Sequence, residues 1–189
     1  MNSLGILLAI IIAAACVGCG SMNGSGDWKG SVNRQVNQLG YRNWIVISEA
    51  SFPAHSRVSI RQVNANAEVP EVVDYVLNAL ELTQNVRPRI YLTREMRAVQ
   101  NDFAPGIDQM RQKISESLHG HEPTELDQQS LITLLESANQ NYDVLVIRTP
   151  TALPYTSVFM ELQPGYWDAE SEDRMRQRIR RERMERLAR

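Results

Sequence analysis

Beyond residue 19 the chain has no cysteine, so the body of the protein holds neither a disulfide framework nor a thiolate metal site. Lysine occurs only at Lys29 and Lys113. The net charge of -2 offers no basic field to draw a nucleic acid partner, although arginines crowd the last stretch. Histidine is scarce as well. His119 and His121, in "HGHEP", form an i, i+2 pair with one nearby glutamate, too sparse a ligand set for a metal, and a solvated loop is expected there. There is no phosphate-cradling glycine loop, no nucleophile elbow and no dinucleotide fingerprint.

Long apolar runs are also missing. The longest, Leu4 to Val17, has about 14 residues, against the roughly 20 that a membrane-spanning helix needs. It has the length of a signal-peptide apolar region and ends in small residues, as a cleavage site would. "CVGCGS" is similar to a bacterial lipobox, with Gly18 just before Cys19. Cys19 is therefore the expected lipidation site, and the expected location is the cell envelope, with a lipid anchor in the membrane. Cys16, preceded by three alanines, is a second candidate; a plain secretory signal and a short uncleaved anchor are the alternatives. The expected organisation is a signal over residues 1–19, a Gly-Ser-Asn tether over 20–30, one α/β domain over 31–167 and a charged helical extension over 168–189.

Within the domain, Val32, Val36 and Leu39 recur at helical spacing and Gly40 supplies a stop. "NWIVIS" is a short β-branched apolar run and predicts a buried strand. "RVSIRQV" alternates and predicts a half-buried one. "VPEVVDYVLNALEL" lines its valines and leucines along one helical face, with Pro70 in the first turn. "RPRIYL", "YDVLVIRT" and "VFMEL" predict further strands. "GIDQMRQKISESL" and "TELDQQSLITLLESAN" predict amphipathic helices, the second with an N-cap at Thr124. Strands alternating with helices imply helices layered on a largely parallel sheet. The tail from Asp168 is acidic first and arginine-rich after, the order that complements a helix dipole, with too few apolar residues for a globular face.

The chemistry concentrates at two strand ends. In "WIVISEASFPAHSR" an apolar run delivers Glu49 to its tip, followed by a Phe-Pro turn and His55; "TPTALPYTS", Thr149 to Ser157, follows another strand. Ligands of open α/β sheets bind outside the carboxyl ends of strands, so these loops are expected to share a cleft. Glu49, partly desolvated there, is placed either for proton exchange or for a structural hydrogen bond.

"LGYRNWIVISEASFPAHS" resembles the N-terminal signature of the ribose pyranase and fucose mutarotase family: a Met/Leu-Gly-His segment, a hydrophobic strand, then Asp-Ala-x-Phe-Pro. Phe52, Pro53, Ala54, His55 and Ser56 match the Phe-Pro-Ala-His-Ser of the fucose branch. "YDVLVIRTPTALPYTSVFMEL" is similar to the closing strands of that family, Tyr155 falling on the tyrosine of its Tyr-x-Asn. The similarity covers roughly Val32 to Leu162. Family members interconvert sugar anomers or ring forms by proton movement, without a cofactor, in ring-shaped oligomers with sites between subunits. The resemblance thus implies a layered sheet with flanking helices, a monosaccharide ligand, a homo-oligomer and no cofactor. It implies catalytic roles for Glu49, Tyr41 and Tyr155, and sugar contacts from His55, Ser51 and Ser157, with a structural role as the alternative for His55. The chain departs from the pattern where it matters. Tyr41 replaces the family histidine, Glu49 an aspartate, Ser51 a histidine of the fucose branch, and Ser157 the asparagine. A phenol is a poor base at neutral pH. Two outcomes follow: an isomerase working through Glu49 with Tyr155 or Tyr41 as acid, or an inactive sugar-binding or scaffolding protein of the envelope.

Overall fold

A computed structural model describes residues 27–53 and 58–187. The expected signal segment, Cys16, Cys19 and His55 lie outside the described residues. Trp44–Ser48 (β1) is buried along its whole length, as a continuous apolar run flanked by neighbours on both faces should be. It lies inside a six-stranded sheet with Ile60–Asn64 (β2), Val86–Thr93 (β3), Thr124–Leu126 (β4), Val144–Arg148 (β5) and Val158–Pro164 (β6), in the order β2-β5-β1-β6-β3-β4. β2, β5 and β1 are parallel, as are β3 and β4; β6 runs antiparallel between β1 and β3. The carboxyl ends of five strands therefore share one edge of the sheet. β6 starts at that carboxyl edge and ends at the opposite, amino edge.

Strand alternation sorts β1 between two cores. Ile45 and Ile47 face Trp28–Val36 (α1), Val69–Thr83 (α2) and Ile107–Ser117 (α4), whose Val32, Val73, Leu77 and Ile114 complete the larger cluster. Trp44 and Val46 face Gln128–Ala138 (α5), with Leu131, Leu135, Phe159 and Phe52. Each fully buried aliphatic side chain of these clusters contributes about 1.5–3 kcal/mol. The expected α/β layering is thus the observed one.

Two element boundaries differ from expectation for identifiable reasons. Thr124 does not cap α5: Thr124–Leu126 pairs with Tyr91–Thr93 as β4, and Asp127 is the cap, its Oδ1 accepting the Ser130 N–H at 2.8 Å. A strand this short has no periodicity to read; only the edge of β3 makes it one. Arg94–Ala98 (α3) is also unforeseen, a five-residue turn that Thr93 caps through its hydroxyl. The tail forms Ala169–Leu187 (α6) as expected. It is polar on all sides and supported by i, i+4 pairs Glu170–Arg174, Glu172–Arg176 and Arg178–Glu182. Among the described residues, no helix is long and apolar enough to cross a membrane.

Candidate functional site at the carboxyl edge

β1 ends at Ser48, and the next residue, Glu49, emerges half-buried at the carboxyl edge. Its main-chain N–H donates to Ser157 Oγ at 3.2 Å. Its carboxylate accepts at both oxygens: Ser51 Oγ donates to Oε1 at 2.9 Å and the Thr156 N–H to Oε2 at 3.1 Å. The Ala50 N–H donates to Thr151 O at 2.9 Å. The loops that follow β1 and β5 are therefore laced together, and each carboxylate oxygen keeps a further lone pair for an incoming hydroxyl.

Tyr155 sits in this weave with φ 62°, a left-handed conformation that a bulky residue adopts only when its surroundings impose it. Thr93 imposes it from β3: its buried Oγ1 donates to Tyr155 O at 3.0 Å while accepting the Met96 N–H. The Tyr155 ring, half-buried, packs against the larger core cluster. Buried threonines brace the same loop. Thr149 Oγ1 donates to Ser48 O, Thr156 Oγ1 donates to Leu153 O, and Thr151 Oγ1 accepts the first N–H of α2, from Val69.

Arg148 completes the frame. It donates through Nε to Ala50 O at 3.0 Å and through Nη2 to Phe52 O at 2.7 Å, holding both ends of the turn that carries Ser51. Ser48 Oγ, fully buried opposite Arg148 in the sheet register, has no hydrogen-bond partner among the described residues. Neither Arg148 nor Thr93 was singled out from sequence. The only signal was a charge ending the apolar run "VLVIR" and a threonine ending "IYLT".

Of the expected site residues, Glu49, Ser51, Ser157 and Tyr155 are brought together at this edge. Tyr41 is not. It lies in the loop before β1, at the amino edge, where the neighbouring Arg42 N–H donates to Leu162 O. At roughly 3.3 Å per residue the five residues of β1 put about 16 Å between the two ends. The expectation that Tyr41, Glu49 and Tyr155 surround one cavity is therefore not met within one chain: a strand that carries an acid at its tip carries its preceding residues away from it.

The histidine loop is exposed at His119 and Gly120, in keeping with the expected solvated loop, but it is anchored. His119, itself left-handed at φ 52°, binds Asp74 Oδ1 of α2 at 2.7 Å and lies 3.7 Å from Glu81 Oε1. The Asp74 hydrogen bond raises its pKa above the ordinary histidine value. Among the described residues no group of three or more His, Cys, Asp or Glu could hold a metal.

In solved structures the chain is similar to RbsD of Bacillus subtilis complexed with D-ribose, with 14% identity and a TM-score of 0.50 over 69% of this chain and 89% of that one. It is also similar to the fucose mutarotase of Streptococcus pneumoniae in complex with L-fucose, with 18% identity and a TM-score of 0.46 over 68% and 87%. FucU of Bifidobacterium longum gives 14% and 0.44 over 69% and 90%. At its 14% identity the likeness to RbsD speaks for the fold alone. Comparison with curated protein sequences finds no match. The model of the RbsD / FucU transport protein family matches residues 28–162, from the first helix to the last strand, and the chain belongs to that family.

Proposed function

We propose that this protein binds a monosaccharide at the carboxyl edge and interconverts its anomers or ring forms without a cofactor. The observation that carries the proposal is the Glu49 carboxylate, delivered by β1 and tied through Thr156 to the Tyr155 turn. Glu49 takes the proton of the anomeric hydroxyl. As the C–O bond of the ring breaks, the Tyr155 hydroxyl gives its proton to the ring oxygen. The open aldehyde turns about its C–C bond, and as the ring recloses the Tyr155 phenolate takes back the proton of the attacking hydroxyl while Glu49 gives its proton to the former carbonyl oxygen. Ser51 and Ser157 supply hydroxyls to the sugar, and the family resemblance adds His55 as a further contact. The sugars bound by the similar structures, D-ribose and L-fucose, are the natural first substrates to try.

A second reading, sugar binding without catalysis, is favoured by two features: both Glu49 oxygens already accept protein donors, and Tyr41 stands at the far edge. Saturation-transfer NMR separates the two. The isomerase speeds exchange between anomers, and Glu49→Gln abolishes that; exchange no faster than in buffer, with sugar signals still broadened by the protein, leaves binding alone.

The proposal also places the domain in the cell envelope, tethered through Cys19 to the membrane, and assembled as a homo-oligomer as the resemblance implies. Mass spectrometry of the mature protein for acylation, and light scattering for its assembled mass, test these two parts.

A further inference from the structure

We infer that this chain has a second ligand cleft, at the amino edge, built by its C-terminal extension and shaped for a neutral hydroxylated ring. The cleft is about 390 Å³, lined by Tyr41, Arg42, Gln163, Trp167, Glu172 and Arg176 among others. That is within the roughly 300–1,000 Å³ of small-molecule sites. Apart from Tyr41 and Arg42, the lining lies beyond residue 162, where the match to the family ends. It is an addition to the fold.

Its walls are fixed rather than fortuitous. Arg42 is held at φ 70°, a strained left-handed conformation. The guanidinium lies 5.1 Å from the Tyr41 ring centre and 5.7 Å from that of Tyr142, and donates to Tyr142 Oη at 2.8 Å. Opposite, Arg87 of β3 donates to Trp167 O, and the Trp167 indole N–H donates to Glu172 Oε2 at 2.8 Å. Glu172 Oε1 in turn accepts Arg176 Nε at 2.6 Å. Trp167, its N–H committed to Glu172, and Tyr41, its ring beside the Arg42 guanidinium, both line the cleft.

The chemistry of the lining selects the ligand. Two arginines face two carboxylates, Asp168 and Glu172, so the cleft has no surplus charge with which to favour a phosphate or a carboxylate. Aromatic faces are electron-rich and attract the polarised C–H bonds of a saturated ring. Guanidinium and amide N–H groups beside carboxylate oxygens match alternating hydroxyl acceptors and donors. A monosaccharide unit satisfies all three conditions. Glu49 is at the other end of the sheet, so this site stands or falls independently of the carboxyl edge.

Trp167 is its own reporter, being 41% exposed where Trp28 and Trp44 are 7% and 4% exposed. The ¹H–¹⁵N spectrum of the full chain is to be followed as D-ribose, L-fucose, D-glucose or inorganic phosphate is added to about 100 mM, the range that detects millimolar binding. Expected is a saturable shift of the Trp167 indole peak with at least one sugar, weakened about tenfold or more by Tyr41→Ala and by Arg176→Gln, and unchanged by Glu49→Gln. Arg176 is on the solvated helix, so its substitution leaves the core folded, which the backbone amide peaks check. A Trp167 peak that no sugar moves, one that only phosphate moves, or a shift lost in Glu49→Gln overturns the inference.

Discussion

Thr93 is the residue on which most of the carboxyl edge turns. A single buried hydroxyl ends β3, caps α3 and holds the carbonyl of a strained tyrosine. Thr93→Val keeps the shape and removes both bonds, leaving a buried carbonyl and N–H without partners. The cost expected is about 1–3 kcal/mol, measured by urea denaturation, with Thr93→Ser recovering most of it. The same substitution frees Tyr155 to leave φ 62°, so it also lowers any sugar-exchange rate. At this scale the sequence was partly legible. Glu49 was visible because a carboxylate interrupting "WIVIS" has to surface at the strand tip. Thr93 and Arg148 were not, because each acts on main-chain carbonyls of a loop distant in the chain, and neither residue type nor spacing encodes that. Tyr41 misled for the converse reason. Its nearness to Glu49 in the chain is cancelled by an extended strand between them.

Between elements, His119 pins the loop that precedes β4 onto α2. Its ring reaches Asp74 first and Glu81 second, and both favour the protonated form. A histidine whose folded pKa is raised binds its proton more tightly in the native state. Its stabilising contribution is fully present below about 6.5 and fades as pH rises through the folded value. An NMR titration is expected to place His119 above the ordinary histidine value, and Asp74→Asn, which removes the larger of the two causes, to lower it. Loss of α2-loop contacts should accompany deprotonation, seen as faster amide exchange around residues 118–121. Helices α2, α4 and α5 and strands β1, β5 and β6 were readable from apolar periodicity, which burial enforces. β4 and α3 were not, because three and five residues carry no period; they exist through the edge of β3 and the Thr93 cap.

Across the whole molecule, α6 contributes nothing to either core: beyond Glu172 every described side chain is exposed. A chain ending at Trp167 is therefore expected to melt within about 2–4 °C of the full one, by circular dichroism. The deletion leaves intact the Glu49 site and removes Glu172 and Arg176. The family fold was legible from two motifs at its ends because those motifs are loops pinned to adjacent strands. The extension was legible as a helix from its charges alone, whereas its first turn against Arg87 and Arg42 depends on a chain reversal after β6 that charge patterning does not encode.

β6 is the one strand that runs against the others, and it works as a ruler. Its seven residues span about 23 Å, and it cannot slide, since a slip of one residue would turn Phe159 and Met160 into each other's cores. One end touches the tyrosine turn and the other opens on the arginine and tryptophan. A single sugar ring is far too short to reach both, so if both proposed sites bind sugar they fill separately, and gripping both ends of the same rod would take a chain of several linked sugars.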